Sequence, residues 1–254
     1  MLNTVGKTTV IVCTEIGRLS EFLWNVIRAC RTRLPFKKIC NQMNAIGIHS
    51  LAITIVTGAF AGAVLAYQTY EGFKKFGGQD LLGAIVALSM IRELGPVFTG
   101  LMVTGRAGSS IAAEIGTMRI SEQIDALKTI GIDPFRYLIV PRIIGSTLIM
   151  PFLTLFSMFA GIVGGYIVST YALGIPFDTY VSHIKELVEP FDVIGGIIKG
   201  TVFGFVLSLI GCYKGYYAKD GARGVGAATT QSVVMGSIII IIANYFLAII
   251  LFGI

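Results

Sequence analysis

The chain has 254 residues, of which 54% are hydrophobic and 13% are charged, and its formal net charge is +6. Together with a mean hydropathy of +0.79, this composition is typical of a polytopic helical membrane protein and argues against a soluble domain. The basic residues cluster beside apolar segments, as the positive-inside rule requires, so we expect no nucleic-acid partner. The four cysteines have no metal-ligand spacing, and we expect neither a metal nor a cofactor in this chain.

Residues 9–38 are predicted to form an amphipathic helix with a basic flank. Charged and polar side chains fall largely on one side of this helix, and apolar residues recur at helical spacing on the other. The apolar residues are Val12, Ile16, Leu19, Leu23 and Val26. This pattern predicts a helix in the membrane interface with Trp24 at headgroup depth, although a soluble helix packed on a partner gives the same pattern.

Residues 45–254 contain five apolar segments of membrane length. They predict an all-α fold with five transmembrane helices, in a single domain that covers residues 1–254. The apolar runs are continuous and lack the alternation of β-barrel strands. The predicted spans are residues 45–67, 81–105, 143–171, 193–213 and 233–254.

The distribution of lysine and arginine predicts the orientation of the chain. These residues are concentrated in the N-terminal flank and in the loops that follow spans two and four. The loops that follow spans one and three carry only Lys74, Lys75 and Lys185, among several acidic residues. The positive-inside rule therefore predicts a cytoplasmic N-terminus and an external C-terminus.

The second predicted span contains two adjacent charges, Arg92 and Glu93, near its centre. Charged side chains inside a membrane are costly, so this pair is a candidate functional site. Pro96 has no backbone N–H for the carbonyl group of Arg92, which predicts a local fault in the helix. The alternative to a functional site is a structural ion pair with another span, such as Glu93 with Lys199.

The polar stretch between spans two and three is predicted to contain a short cytoplasmic helix within residues 114–131. Ser121 is the expected N-cap of this helix, and Gly131 is expected to end it. The apolar residues at helical spacing are Ile120, Ile124, Leu127 and Ile130. An apolar edge of this kind gives a partner protein a surface to bind.

Within this helix, the pattern Asp125-Ala126-Leu127-x3-Gly131 is similar to the E-A-A-x3-G loop with which many ABC permeases dock on their ATPases. Pro141 comes earlier than in that pattern. The predicted ATPase-coupling residues are Glu122, Asp125, Ala126, Leu127 and Gly131.

Two longer stretches resemble the signatures of the MlaE-type permease family. The first is RELGPVFTGLMVTGRAGSSIAAEIGTMRISEQIDALKTIGIDPFRYLIVPR, and the second is GYYAKDGARGVGAATTQSVV at residues 215–234. The resemblance extends over nearly the whole chain from about residue 40, whereas the N-terminal helix agrees in character more than in sequence.

This resemblance implies the membrane subunit of an ABC system that moves phospholipids or related lipids between the inner and outer membranes. It implies a bacterial inner-membrane protein, with a permease homodimer, two cytoplasmic ATPases that carry ATP and Mg²⁺, and periplasmic MCE-domain subunits. Some systems of the family add a STAS-domain protein. The chain itself has no G-x4-GK[ST] motif, which agrees with an ATPase in a separate subunit.

The resemblance also implies roles for individual residues. Arg92 and Glu93 match a family pair near the lipid cavity at the dimer centre, where an arginine can bind a lipid phosphate and the glutamate can hold that arginine or a neighbouring cation. Gln68, Phe73 and Phe76, at the outer end of span one, are candidates for the upper cavity wall, or are ordinary interfacial residues.

Two other functions use Glu93 differently. A membrane-embedded lipid-modifying enzyme would use it as a general base, and an ion-coupled secondary transporter would use it as a proton carrier. The enzyme would need a second catalytic group at a similar depth, and the sequence offers no convincing one.

Overall fold

The structure is a computed structural model that describes residues 2–31, 36–75 and 77–253, with side chains described from residue 13 onward. These residues form eight helices and no strand. In chain order the helices are α1 (Leu2–Cys30), α2 (Phe36–Phe73), α3 (Gln79–Ile120), α4 (Gln123–Thr129), α5 (Phe135–Ala172), α6 (Phe177–Leu187), α7 (Pro190–Tyr216) and α8 (Gly221–Phe252).

Five of the described helices, α2, α3, α5, α7 and α8, are long and apolar enough to cross a membrane. They correspond in order to the five predicted spans, so the all-α polytopic fold is confirmed. The helices extend beyond the predicted apolar segments. At 42 residues, α3 is about 63 Å long, whereas the hydrocarbon core is about 30 Å thick, so one part of α3 projects from the membrane.

Small residues allow α2 and α5 to pack with their backbones in contact. A Cβ atom at Gly62 would overlap the carbonyl oxygen of Gly161, and one at Gly58 would lie 2.5 Å from the carbonyl oxygen of Ser157. A Cβ atom at Gly164 would overlap the carbonyl oxygen of Ala59. These glycine faces therefore serve packing within the chain.

The core lies around α7, which packs against α3, α5 and α8. In its most apolar segment 56% of the residues are buried inside the chain, against 11% in α8 and 22% in α2. The outer faces of α2 and α8 carry large apolar side chains such as Phe60 and Ile241. These two helices therefore have faces available to lipid or to another subunit.

The N-terminal helix α1 buries the C-terminal part of the predicted apolar face, where Leu19 and Leu23 pack against the core, together with Phe22 and Ala29 beside it. Phe22, Val26 and Ala29 are buried, whereas Ile16 is 60% exposed, and the side chain of Val12 lies outside the described residues. The reason is an aromatic cluster, in which the Phe22 ring lies 5.3 Å from that of Phe135 and within about 6 Å of the tyrosine rings at the end of α7. Trp24 is exposed, as a residue at headgroup depth would be.

The helix between spans two and three is shorter than predicted. Ser121 does not cap it, because its hydroxyl group donates to the carbonyl oxygen of Thr117 and so belongs to the end of α3. The turn is made at Glu122, which has a positive φ of 58°, and α4 begins at Gln123. Gly131 follows the helix with φ 77°, as predicted, and Ile132 N–H donates to the carbonyl oxygen of Leu127.

The predicted apolar edge of α4 faces mainly its own chain. Ile124 is buried, and Leu127 is half-buried against the core. Ile130, in contrast, is 68% exposed, and Ala126 is exposed beside it. The surface that α4 offers to a partner is therefore centred on Ala126 and Ile130 rather than on Leu127.

The contact of α2 with α5 is testable with two glycines of the same helix. Gly62→Val should lower the stability of the protein by about 1–3 kcal/mol, because the new side chain overlaps the backbone of α5. Gly72→Val is the control, since a Cβ atom there meets no atom within 4 Å. Thermal unfolding in detergent micelles measures both variants. Equal melting temperatures would contradict the close approach.

Candidate functional site

The helix α3 is irregular at the predicted charged pair. Residues Met90–Leu94 form a π-helical turn, in which Gly95 N–H donates to the carbonyl oxygen of Met90. Pro96 has no N–H for the carbonyl oxygen of Arg92, four residues earlier. The ammonium group of Lys199 on α7 donates to that oxygen at 2.9 Å. A side chain from another span thus replaces the missing helical hydrogen bond.

The same ammonium group binds Glu93. Lys199 Nζ lies 2.6 Å from Glu93 Oε1, and Asn244 Nδ2 on α8 donates to Glu93 Oε2 at 2.8 Å. The Lys199 side chain is fully buried, and that of Glu93 is one-third exposed. The structure therefore contains the Glu93–Lys199 ion pair that the sequence left open as an alternative, and it joins α3, α7 and α8 at one point.

Arg92 points to a second carboxylate. Its Nε donates to Asp192 Oδ1 at 2.7 Å, and its guanidinium carbon lies 5.1 Å from the centre of the Phe252 ring. The other oxygen of Asp192 accepts from Glu189 N–H at 3.0 Å, within the capping box that starts α7. The Asp192 side chain is 2% exposed, whereas that of Arg92 is 37% exposed. Arg92 is thus held by a fixed carboxylate and keeps an open side.

The charged cluster of Arg92, Glu93, Asp192 and Lys199 lies toward one end of the spanning helices. Asp192 is in the first turn of α7, and Phe252 is the last residue of α8. Lys199 lies about 10 Å further along α7. Arg92 therefore reaches toward the end of the bundle at which α7 begins and α8 finishes, although it is central in the apolar sequence of span two.

The cluster contains two cations and two carboxylates, and each is paired. Removing one charge would leave its buried partner uncompensated, which is far more costly than removing a whole pair. Both oxygens of Glu93 accept hydrogen bonds, so the group with an open side is the Arg92 guanidinium. The arrangement can therefore offer a positive, planar hydrogen-bond donor to an anion.

The structure places the other predicted site residues elsewhere. Gln68 lines a groove of about 430 Å³ between α2 and α3, with Phe60, Leu94 and Phe98 among the other lining residues. Phe73 is the last residue of α2 and is 37% exposed. Phe76 lies outside the described residues. Gln68 is thus in an apolar groove beside the irregular turn of α3, not among the four charges.

The predicted coupling region is fixed to the end of α3 by charges. Arg119 Nη1 donates to both oxygens of Asp125, at 2.8 and 2.9 Å, and Lys128 Nζ lies 3.3 Å from Asp125 Oδ1. These hydrogen bonds, that from Arg119 first, hold the pKa of the exposed Asp125 carboxyl group below its ordinary value. Arg119 and Lys128 also lie over the Tyr216 ring at the end of α7. Asp125 therefore positions α4 instead of presenting a free charge.

Two hydrogen-bond partners of the Arg92 and Glu93 side chains were missed from the sequence. Asp192 belongs to Glu189-Pro190-Phe191-Asp192, in which the spacing of the two acidic residues is that of a capping box. That signal predicts the start of a helix but not a bond to Arg92. Asn244 interrupts the apolar run of span five, and a polar side chain inside a span is itself a signal for a partner. In the described part of the chain, no group of three or more His, Cys, Asp or Glu side chains converges as a metal site.

Five apolar helices that carry a paired charged site, with a short helix fixed beyond one end of the bundle, are the features of a polytopic membrane protein. The family model described as Permease MlaE matches residues 39–250. The chain therefore belongs to the MlaE permease family.

Relatives are similar in sequence over most or nearly all of this chain. A probable ABC transporter permease protein of Rickettsia bellii is 47% identical over 96% of this chain and 94% of its own length. The intermembrane phospholipid transport system permease protein MlaE of Haemophilus influenzae is 34% identical over 99% of this chain and 97% of its own. TRIGALACTOSYLDIACYLGLYCEROL 1 of Arabidopsis thaliana, a chloroplastic protein, is 37% identical over 88% of this chain and 64% of its own. The chain is a permease subunit of an ABC transport system and a multi-pass inner-membrane protein.

The Glu93–Lys199 pair makes a prediction about stability. Glu93→Gln should destabilise the protein by about 3–5 kcal/mol, because it leaves the buried ammonium group of Lys199 without its counter-charge. Adding Lys199→Met should recover part of this loss, but not the hydrogen bond to the Arg92 carbonyl group. Unfolding of both variants in detergent is the measurement. The control is Lys185→Met with Glu186→Gln, two exposed charges on α6. A Glu93→Gln protein as stable as the wild type would refute the buried pair.

Proposed function

We propose that this permease moves phospholipids between the inner and outer membranes, and that Arg92 binds the lipid phosphate. The observation that carries the proposal is the open side of Arg92 in a site where the other cation, Lys199, is buried and bound. The name of the Haemophilus influenzae relative supports a phospholipid as the transported molecule.

The chemistry of Arg92 suits this role. A guanidinium group presents several N–H donors in one plane, and this geometry matches the oxygens of a phosphate. Nε is bound to Asp192, and the Phe252 ring lies against the group, so its orientation is fixed before a lipid arrives. Such an arrangement lowers the entropic cost of binding. The apolar groove that Gln68 lines is suited to an acyl chain. We assign Gln68 to the wall of the lipid path, and Phe73, partly exposed at the end of the same helix, to its outer end.

The hydrogen bonds of Glu93 argue against the two alternative functions. A general base or a proton carrier needs a carboxylate oxygen that can accept and release a proton. In the structure one oxygen binds an ammonium group and the other binds the Asn244 amide. Glu93 in this arrangement holds Lys199 and the turn that carries Arg92, which is a positioning role.

We further propose a homodimer that works with two cytoplasmic ATPases, which carry ATP and Mg²⁺, and with a periplasmic MCE-domain protein. A STAS-domain protein is a further candidate partner. The ATPase would dock on the exposed side of α4, near Glu122, Ala126 and Ile130. This surface is connected to the spanning helices through the Arg119–Asp125 pair.

The role of Arg92 is testable against a background without its carboxylate partner. Asp192→Asn should lower lipid transfer but keep a measurable part of it, because asparagine can still accept the capping hydrogen bond and Arg92, although less well oriented, keeps its charge and its open side. Adding Arg92→Met to Asp192→Asn should reduce transfer by about tenfold or more, which corresponds to the loss of at least one charge-assisted hydrogen bond. The measurement is transfer of labelled phospholipid between donor and acceptor membranes, with thermal unfolding as the stability control. Equal transfer by the two folded variants would rule out the phosphate contact.

The proposed ATPase surface predicts two disruptive substitutions. Ala126→Arg and Ile130→Asp should each reduce co-purification of the ATPase, because both side chains are exposed on or next to α4. Leu127→Asp is a poorer test, since Leu127 packs against the core. Tyr171→Asp, at the opposite end of α5 and 81% exposed, is the matched control. Normal ATPase recovery with both variants of the surface would sink the docking proposal.

The proposed orientation has the N-terminus in the cytoplasm and the C-terminus in the periplasm. Single cysteines at Asp178 and Lys219 should then be labelled from opposite sides, Asp178→Cys by an impermeant reagent added outside and Lys219→Cys only after the membrane is opened. Both positions are exposed. The exposed Cys13 and Cys40 must first be replaced. The opposite labelling pattern would invert the topology.

A further inference from the structure

Two cavities meet beside the first half of α8, at the end of the bundle where α4 lies. The first, which we call the cup, has a volume of about 530 Å³ and is lined mainly by polar residues of α1, the end of α7 and the start of α8. The second, the furrow, has a volume of about 450 Å³ and runs along α8. Lys214 and Gln231 line both cavities, so the cup and the furrow adjoin at these two side chains.

The cup carries charges of both signs, with the positive sign in excess. Its cations are Arg18, Lys214 and Lys219, and its carboxylates are Glu15 and Asp220, which leaves one positive charge. Glu15 is engaged by the Tyr213 hydroxyl group at 2.9 Å and by Lys214 at 3.3 Å, and Arg18 Nη1 lies further away, 3.9 Å from its Oε1. Lys219 is exposed, and the Arg18 side chain is half-exposed. The cup can therefore bind a phosphate through its exposed cations.

The furrow is apolar along the direction of the spanning helices. Besides Lys214, Thr230 and Gln231 at its polar end, it is lined by Val234, Met235, Ile238 and Ile239. From Gln231 to Ile239 it extends about 12 Å along α8. The cup lies where the apolar sequence of span five begins, which is the level of lipid headgroups, and the furrow leads from there into the membrane.

We propose that the cup and the furrow together form a binding site for a phospholipid of the leaflet on the α4 side, with the headgroup in the cup and an acyl chain in the furrow. A soluble phosphate would use only the cup, and an apolar helix would use only the furrow. A phospholipid matches both, because it joins a phosphate to an apolar chain. The excess positive charge of the cup complements the phosphate.

This site is separate from that of Arg92. The charged cluster contacts Asn244 and Phe252, in the last third of α8, whereas the cup and the furrow use only residues within 224–239 of that helix. The chain therefore has one polar site toward each face of the membrane. The proposed site depends on lipid binding at the furrow, which is measured without ATP hydrolysis or lipid transfer. A negative binding result would therefore leave the proposed transport function standing, and a negative transfer result would leave the proposed binding site standing.

The test uses the full chain in nanodiscs and a phospholipid with a photoreactive group in its acyl chain. Illumination should label the peptide with residues 231–239, and unlabelled phospholipid should displace the label, whereas inorganic phosphate should not. Arg18→Gln and Lys219→Gln should each lower labelling by about fivefold, the loss expected for one cation near a headgroup. Arg28→Gln, an exposed cation on α1 outside the cup, is the matched control.

A second pair of variants tests the furrow itself. Val234→Trp fills it and should abolish most of the labelling, whereas Leu148→Trp, at an exposed position on α5, should not change it. Labelling that survives Val234→Trp would overturn the proposal, as would displacement by inorganic phosphate. A disulfide between two copies of Val234→Cys, with no lipid label, would also overturn it, because a second copy of the chain would then fill the furrow.

Discussion

The ammonium group of Lys199 is the interaction on which the charged site depends. It is fully buried, and it binds both the Glu93 carboxylate and the Arg92 carbonyl oxygen that Pro96 leaves without a helical partner. The Lys199 side chain thus supplies a hydrogen bond to a backbone carbonyl group of α3 and balances the charge of Glu93 inside the membrane. A hydrophobic residue at this position would leave two oxygens without donors, so the irregular turn of α3 and Lys199 require each other.

The consequence is a division of labour between the two cations. The Lys199–Glu93 pair fixes the irregular turn of α3. Asp192 binds the Arg92 guanidinium group and at the same time caps the start of α7. With Asp192 bound to its Nε, the Arg92 guanidinium group still has an exposed side that can meet a ligand. The same helix, α3, continues for 27 residues from Glu93 to Ile120, about 40 Å, and ends at the Arg119–Asp125 pair. A continuous helix therefore connects the proposed lipid site with the proposed ATPase surface.

Much of the fold follows from the sequence, because hydropathy determines the five spans. The helix ends were less predictable, since α3 continues past its apolar segment until Ser121 and the positive φ of Glu122. The pairing of Glu93 with Lys199 could be predicted from the sequence, as one of two alternatives. The roles of Asp192 and Asn244 were not, because each depends on which residues of distant helices lie at the same depth. The burial of Phe22 on α1 was missed for the same reason, since the tyrosines that surround it lie on α7.

The central claim is that the buried Lys199 leaves Arg92 free to bind a lipid phosphate. The most direct measurement is a cryo-electron microscopy map of the permease with its ATPase in phospholipid nanodiscs. The account predicts density for a headgroup with a phosphate oxygen about 2.7–2.9 Å from a terminal nitrogen of Arg92. It also predicts that Lys199 keeps its hydrogen bonds to the Glu93 carboxylate and to the Arg92 carbonyl oxygen. A phosphate bound to Lys199 instead, or both terminal nitrogens of Arg92 closed onto Asp192 beside a bound lipid, would contradict it.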